Sequence, residues 1–202
     1  MLIGLTGSMA AGKSTAARTI AEMGFPIIDA DRIAHEVLED EKVISERVKE
    51  FGRGIISDGR IDRKALAKAA FRGGRTEKLN SITHPVICQR LIFDAKREEE
   101  KYGAAVLDAP LLIESGLNGA CAHVILVTAD KAIRYARIME RDGLTKREAR
   151  ARLKKQMPER QKRKYADIII ENNGTAAELE AAVRNVMMEF MPKGKPVDKE
   201  KD

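Results

Sequence analysis

Gly7-Ser8-Met9-Ala10-Ala11-Gly12-Lys13-Ser14 constrains the fold more tightly than any other stretch of this chain. It satisfies G-x-x-x-x-G-K-[ST] in full, and the apolar run Leu2-Ile3-Gly4-Leu5-Thr6 before it reads as a buried strand. From about Lys13 to Met23 the pattern is helical, with Gly24 placed to terminate it. A loop in this position turns tightly at Gly7 and Gly12, so that successive backbone N–H groups point inward as an anion cradle. The helix opening at Lys13 adds the positive end of its dipole.

A loop of this kind holds nucleotide phosphates, and the residue types assign the roles. Ala10, Ala11 and Gly12 supply backbone donors, Lys13 neutralises β/γ-phosphate charge, Ser14 is placed to coordinate Mg²⁺, and Thr15 can bond the α-phosphate. The loop by itself leaves open a small-molecule kinase, a GTPase switch and a nucleic-acid motor. No N-K-x-D guanine reader occurs, and no apolar strand ends in Asp-Glu; Leu107-Asp108 runs instead into Ala109-Pro110. Asp108 can still hold a Mg²⁺-bound water.

Four further short apolar runs read as strands: Pro26–Asp29, Ala104–Asp108, His123–Val127 and Asp167–Ile170. With the first, they imply a five-stranded, mostly parallel α/β sheet covered on both faces by helices. Helical patterns run over Ala30–Glu39 and Val43–Phe51, from Asp62 as cap to Phe71, and from the His84-Pro85 dipeptide to about Lys101. Asp130 is expected to cap a helix to Arg141, Thr145 another to about Gln156, and Thr175-Ala-Ala-Glu178 has capping-box spacing. Ser57-Asp58-Gly59-Arg60 is a turn signal. The chain is expected to form one domain: a nucleotide core of about 1–31, 104–130 and 166–191, helical excursions at 32–103 and 131–165, and a disordered tail over 192–202.

The 202 residues carry a formal charge of +6, but the segment from Lys131 to Tyr165 alone carries +10 and the remainder −4. Such a segment binds phosphates, whether of nucleic acid or of a small molecule. Only Tyr135 and Tyr165 interleave with its charges, so a base-stacking platform is poorly supported. Arg134, Arg137 and Arg141 fall on one helix face, the layout of a lid that closes over a transferring phosphoryl group. Asp29-Ala30-Asp31 follows the second strand, where a carboxylate can accept a proton from an attacking hydroxyl or orient it; Asp31 is also a natural helix cap. No apolar stretch is long enough to span a membrane, and no signal peptide is evident. Cys88 and Cys121 lack metal-type spacing, so a reduced cytoplasmic protein is expected. No pattern sets an oligomeric state.

Taken in order, Gly7–Thr15, Ile28-Asp29-Ala30-Asp31, Ile61-Asp62-Arg63, Thr83-His84-Pro85, Pro110-Leu111-Leu112-Ile113-Glu114, Arg137 with Arg141-Asp142, Gln156-Met157, Ala166-Asp167 and Asn172-Asn173-Gly174 closely resemble dephospho-coenzyme A kinases over about residues 2–185. The resemblance implies a P-loop kinase of three-layer α/β/α architecture with a helical acceptor-binding region (32–103) and a helical lid (131–165). It implies ATP and Mg²⁺, and phosphorylation of the ribose 3′-hydroxyl of dephospho-coenzyme A, a small-molecule partner without nucleic acid or membrane. Lys13, Asp31, Arg137 and Arg141 would then be catalytic. Asn173 and Gly174 would lie near adenine, and Asp31, His84, Pro85, Leu111, Leu112 and Glu114 would bind the acceptor. Ser8 and Ala10 stand where the family usually has glycine. Another small P-loop kinase, or a nucleotide-dependent nucleic-acid binder, remains the alternative reading.

Overall fold

The computed structural model describes residues 1–57, 59–72, 74–154 and 156–191; the tail expected over 192–202 lies outside the described residues. The chain divides into two compact units. The first comprises Met1–Asp29 with the chain from Asp94 onward, and the second Ala30–Phe93.

The first unit is built on a parallel sheet of β1 (Leu2–Gly7), β2 (Ile27–Asp29), β5 (Ala105–Asp108), β6 (His123–Thr128) and β7 (Ile168–Glu171), in the order β2-β5-β1-β6-β7. This is the expected five-stranded sheet. β1 is central, pairing Leu2 with Ala105 on one side and Ile3 with His123 on the other. All six of its residues are buried, which is why it reads as an unbroken apolar run and not an alternating one. On one face Ile3, Leu5, Val106, Ile125 and Val127 pack with Ile20 of α1 (Lys13–Glu22) and Val183 of α9 (Ala176–Met188). Gly4 points to the other face, where a Cβ would come within 2.6 Å of Leu112 and 2.9 Å of the Cys121 sulfur. The glycine inside β1 is thus a close-approach residue and not a strand breaker.

Three helices of the basic segment follow β6: α6 (Lys131–Asp142), α7 (Lys146–Leu153) and the single turn α8 (Glu159–Lys162). Thr145 and Thr175 form the expected caps of α7 and α9, each in a reciprocal capping box with the glutamate three residues on. α7 ends at Leu153, short of the expected Gln156. Asp130 occupies the N-cap position of α6, but its side chain makes no capping bond; its carbonyl accepts the Arg134 N–H at 2.9 Å.

The second unit contains α2 (Ala30–Leu38), α3 (Glu41–Phe51), a two-stranded hairpin of β3 (Ile56–Ser57) and β4 (Arg60–Ile61), α4 (Arg63–Arg72) and most of α5 (Thr76–Tyr102). The turn signal at 57–60 joins the hairpin strands, with Gly59 at φ 76°; Asp58 itself lies outside the described residues. Asp62 caps α4 as expected, its carboxylate accepting from the Lys64 and Ala65 N–H groups.

Two expectations are corrected. α2 begins at Ala30, so Asp31 sits in its first turn and not at its cap, where its charge still opposes the positive helix end. α5 does not start at His84-Pro85 but runs straight through it from Thr76. Pro85 removes one N–H from the helix ladder, yet the helix continues through it to Tyr102.

Candidate active site

The phosphate loop leaves β1 at Gly7 and returns into α1 at Lys13. The Ser8 N–H donates to the Val127 carbonyl at 3.2 Å, tying the loop to the C-terminal end of β6. A Cβ at Gly7 would lie 3.0 Å from that same carbonyl. Gly12 is required twice over: its φ of 101° is left-handed, and a side chain there would strike Asn172 and come within 2.9 Å of Leu179. Ala10 also takes positive φ, 61°, and among the described residues no other non-glycine does so. It is one of the two positions where the family resemblance led one to expect glycine.

Lys13 and Ser14 open α1. The Lys13 ammonium is paired with the carboxylate of Asp108, the last residue of β5, at 2.6 Å. Both side chains are largely shielded from water, so each offsets the cost of burying the other's charge. Ser14 is exposed at the helix start and Thr15 half-buried.

The basic segment reaches the same loop. Arg137 donates to the Ala10 carbonyl through Nη1 and to Asn172 Oδ1 and the Gly174 carbonyl through Nη2, each at 3.4 Å. Asn172 is buried and donates to the Ala11 carbonyl at 2.8 Å, so one guanidinium and one amide brace the loop from behind. From the far end of the segment, Gln156 Oε1 accepts the Met9 N–H at 3.0 Å and Glu159 accepts from the Ser8 hydroxyl at 3.4 Å. Glu159 also pairs with Arg134 at 3.1 Å and Arg163 at 3.2 Å. Beside these groups a cavity of about 180 Å³ opens, lined by Thr128, Ala129, Asp130, Arg134, Glu159 and Asn173. Asn173 Oδ1 accepts the Asp130 N–H at 2.7 Å, which joins the loops after β6 and β7.

The three arginines expected on one face therefore part company. Arg134 and Arg137 turn toward the sheet end, whereas Arg141, 63% exposed, pairs with its neighbour Asp142 at 2.7 Å. The Arg141 guanidinium, with help from Arg152, holds the Asp142 carboxyl below the usual carboxylate range. After β5, Leu111 is 53% exposed but Leu112 is fully buried beneath Gly4, a core residue and not a cleft-lining one. Glu114 is paired at 2.9 Å with Lys162, whose side chain is wholly buried and also donates to the Pro110 carbonyl at 3.0 Å. Asp31, His84 and Pro85 belong to the second unit and are exposed there; the His84 ring lies 3.6 Å from the Cys88 sulfur.

Gln156, Glu159, Lys162 and Asn172 are the groups that reading by residue type did not single out for chemistry. Lys162 is one of 14 basic residues in its segment, and nothing local distinguishes the one that is buried.

A family model for dephospho-CoA kinase matches residues 1–178. The chain belongs to the dephospho-CoA kinase family. It is 42% identical over 179 residues to the dephospho-CoA kinase of Shouchella clausii (strain KSM-K16), covering 87% of this chain and 91% of that one. It is also 42% identical over 183 residues to that of Geobacillus kaustophilus (strain HTA426), covering 88% and 90%. Among solved structures, dephospho-CoA kinase from Campylobacter jejuni superposes with a TM-score of 0.74 at 31% identity, covering 94% of this chain and 96% of that one. Shikimate kinase from Acinetobacter baumannii, solved with shikimate, matches at a TM-score of 0.52 and 17% identity, covering 96% and 95%, and shares the fold alone. As a member of a dephospho-CoA kinase family, the chain uses ATP as phosphoryl donor and acts on a small molecule. No helix among the described residues is long and apolar enough to cross a membrane.

Proposed function

We propose that this chain transfers the γ-phosphoryl group of ATP to the ribose 3′-hydroxyl of dephospho-coenzyme A, giving coenzyme A and ADP, the final step of coenzyme A synthesis. The observation that carries this reading is the family match over residues 1–178, together with a phosphate loop whose Gly12, Lys13 and Ser14 have the backbone and exposure such a donor needs. The backbone N–H groups of Ala10, Ala11 and Gly12 would cradle the phosphates, Lys13 would bridge the β- and γ-phosphates, and Thr15 would reach the α-phosphate. Asn173, which lines the small cavity, and Gly174 after it in the chain would border adenine.

Oxygen donors suited to Mg²⁺ stand close by: the Asp108 carboxylate beside Lys13 and the exposed Ser14 hydroxyl. Among the described residues no cluster of three or more His, Cys, Asp or Glu could hold a metal alone. That fits an ion held largely by substrate phosphates and water, with Ser14 as direct ligand and Asp108 orienting a bound water. Bound there, Mg²⁺ would neutralise charge on the β- and γ-phosphate oxygens.

In the reaction, Asp31 would accept the proton of the 3′-hydroxyl or orient it for in-line attack, with Asp29 the alternative for the same task. Arg137, already fixed to the loop's Ala10 carbonyl, would turn its charge onto the transferring phosphoryl, with Arg141 joining from the helix end. His84, Pro85, Leu111 and Glu114 would contact the acceptor; Leu112 would support Leu111 from beneath. We place the reaction in the cytoplasm, where ATP is supplied.

A coupled assay with purified protein, ATP and Mg²⁺ tests the reading against dephospho-coenzyme A, AMP, shikimate and water as acceptors. Turnover with dephospho-coenzyme A well above the rest is expected. Preference for AMP or shikimate would make the chain a different small-molecule kinase.

A further inference from the structure

Asn172 stands one residue beyond β7, and its backbone is fixed by the sheet. Its main-chain N–H donates to the Thr128 carbonyl at 2.7 Å, carrying the β6–β7 ladder one step past Glu171. The side chain is buried and reaches the phosphate loop, where Nδ2 donates to the Ala11 carbonyl at 2.8 Å. The approach is so close that a Cβ at Gly12 would strike Nδ2. The Ala11–Gly12 peptide is planar and trans, so its carbonyl and its N–H point in opposite directions. Anchoring the carbonyl on Asn172 therefore aims the Gly12 N–H, one of the donors assigned to the phosphates, away from Asn172.

The other end of the same amide meets Arg137, whose Nη2 donates to Asn172 Oδ1 at 3.4 Å. The remaining Arg137 partners are the Ala10 and Gly174 carbonyls, so all three acceptors are neutral. Its neighbours differ. Arg134 pairs with Glu159, Arg141 and Arg152 pair with Asp142, and Arg163 pairs with Glu159 and Glu171, whereas among the described residues no carboxylate pairs with Arg137. Arg137 is thus oriented without being neutralised, and its full charge is left for an anion. An amide is the side chain of this length that can serve both ends: a carboxylate has no donor for Ala11 and would cancel the arginine's charge, and an apolar group offers neither bond.

Given the roles proposed for the loop and for Arg137, we propose that Asn172 is a positioning residue for phosphoryl transfer. Through the Ala11 carbonyl it orients the Gly12 N–H toward the donor's phosphates, and through Oδ1 it holds the Arg137 guanidinium in place with its charge intact.

Asn172→Ala and Asn172→Asp test the two halves together. Both remove the donor to Ala11, so both should weaken ADP binding about three- to tenfold, the scale of one buried hydrogen bond. Asn172→Asp also sets a carboxylate against Arg137, so its kcat should fall at least ~10-fold below that of Asn172→Ala. In an Arg137→Ala background that extra loss should vanish. Unchanged ADP affinity in both variants, a kcat in Asn172→Asp no lower than in Asn172→Ala, or a gap that persists without Arg137 would each overturn the proposal. So would a lowered Tm with kcat, KM and ADP affinity unchanged, which is the mark of packing alone. The wild-type protein supplies a readout free of any variant: one Asn172 Nδ2 proton should exchange slowly with solvent, and it and the Gly12 amide should shift saturably with ADP. A fast-exchanging side-chain amide, or resonances that ignore ADP, would overturn the assignment. kcat is taken with whichever acceptor the coupled assay finds, and ADP binding needs none. A chain that fails to phosphorylate dephospho-coenzyme A therefore loses that reading alone, while the ADP measurements still decide the role of Asn172.

Discussion

Ala10 carries a conformation that its side chain disfavours. A left-handed alanine costs about 1 kcal/mol, and glycine would remove that cost while enlarging the unfolded ensemble. Ala10→Gly is therefore expected to leave urea stability within about 1 kcal/mol of wild type, on the stabilising side if the strain outweighs the entropy. A loss above 2 kcal/mol would show that the methyl packs usefully. At Gly12 the balance is one-sided, because any side chain meets Asn172 and Leu179 at a φ of 101°. Lys13→Ala should lower turnover at least ~100-fold, the scale of one positioned catalytic group, and so should Asp31→Asn. Near-normal turnover in Asp31→Asn would leave that carboxylate only its place in the first turn of α2. These residue-scale features differ in how they could be read: the need for small residues at Gly7 and Gly12 is written in the motif, whereas the Lys13–Asp108 pair joins residues 95 positions apart and depends on β5 lying beside β1.

Among the elements, α6 and α8 decide how the basic segment meets the loop. Arg137 touches the loop's backbone, so Arg137→Ala is expected to lower kcat more than it weakens ATP binding; equal losses in both would remove its role in the transition state. Glu114 is tied to Lys162, so its first duty is to hold α8 against the segment after β5. Glu114→Ala strands a buried ammonium and should cost about 3–5 kcal/mol of stability, measured by denaturant unfolding, with Glu114→Gln restoring part of it. A stable Glu114→Ala protein with only a raised KM would make Glu114 an acceptor contact instead. The capping boxes of α7 and α9 add a pH dependence. Thr145 bonds hold the Glu148 carboxyl, and Thr175 bonds the Glu178 carboxyl, below the usual range. Carboxyls depressed in the folded state stabilise it above their unfolded pKa, about 4.3, and lose that contribution as pH falls through the lower folded value. The fall in Tm below about pH 4.3 should therefore be shallower in the double variant Glu148→Gln, Glu178→Gln; an unchanged slope would dismiss the caps as its source. The caps were legible because side chain and partner are three residues apart. The course of α5 was not, because a proline reads as a boundary, whereas the helix runs through Pro85 from Thr76 to Tyr102.

For the whole molecule, ligand linkage is the simplest global readout. ADP at about 100 times its Kd should stabilise the chain by about 2.7 kcal/mol, and Lys13→Ala should forfeit most of that at the same concentration. Equal stabilisation of both proteins would show that ADP binds away from the loop. The sequence by itself determined the strand–loop–helix unit, the five strands, the α/β class and the family, because each is encoded in short spacings or in residue order along the chain. Tertiary structure alone decided the strand order β2-β5-β1-β6-β7, the burial of Leu112, Lys162 and Arg47, and the parting of Arg134 and Arg137 from Arg141. Burial and pairing depend on neighbours brought from far along the chain. Lys162 and Arg47 look like any surface cation until Glu114 is found against the first and no acceptor against two nitrogens of the second.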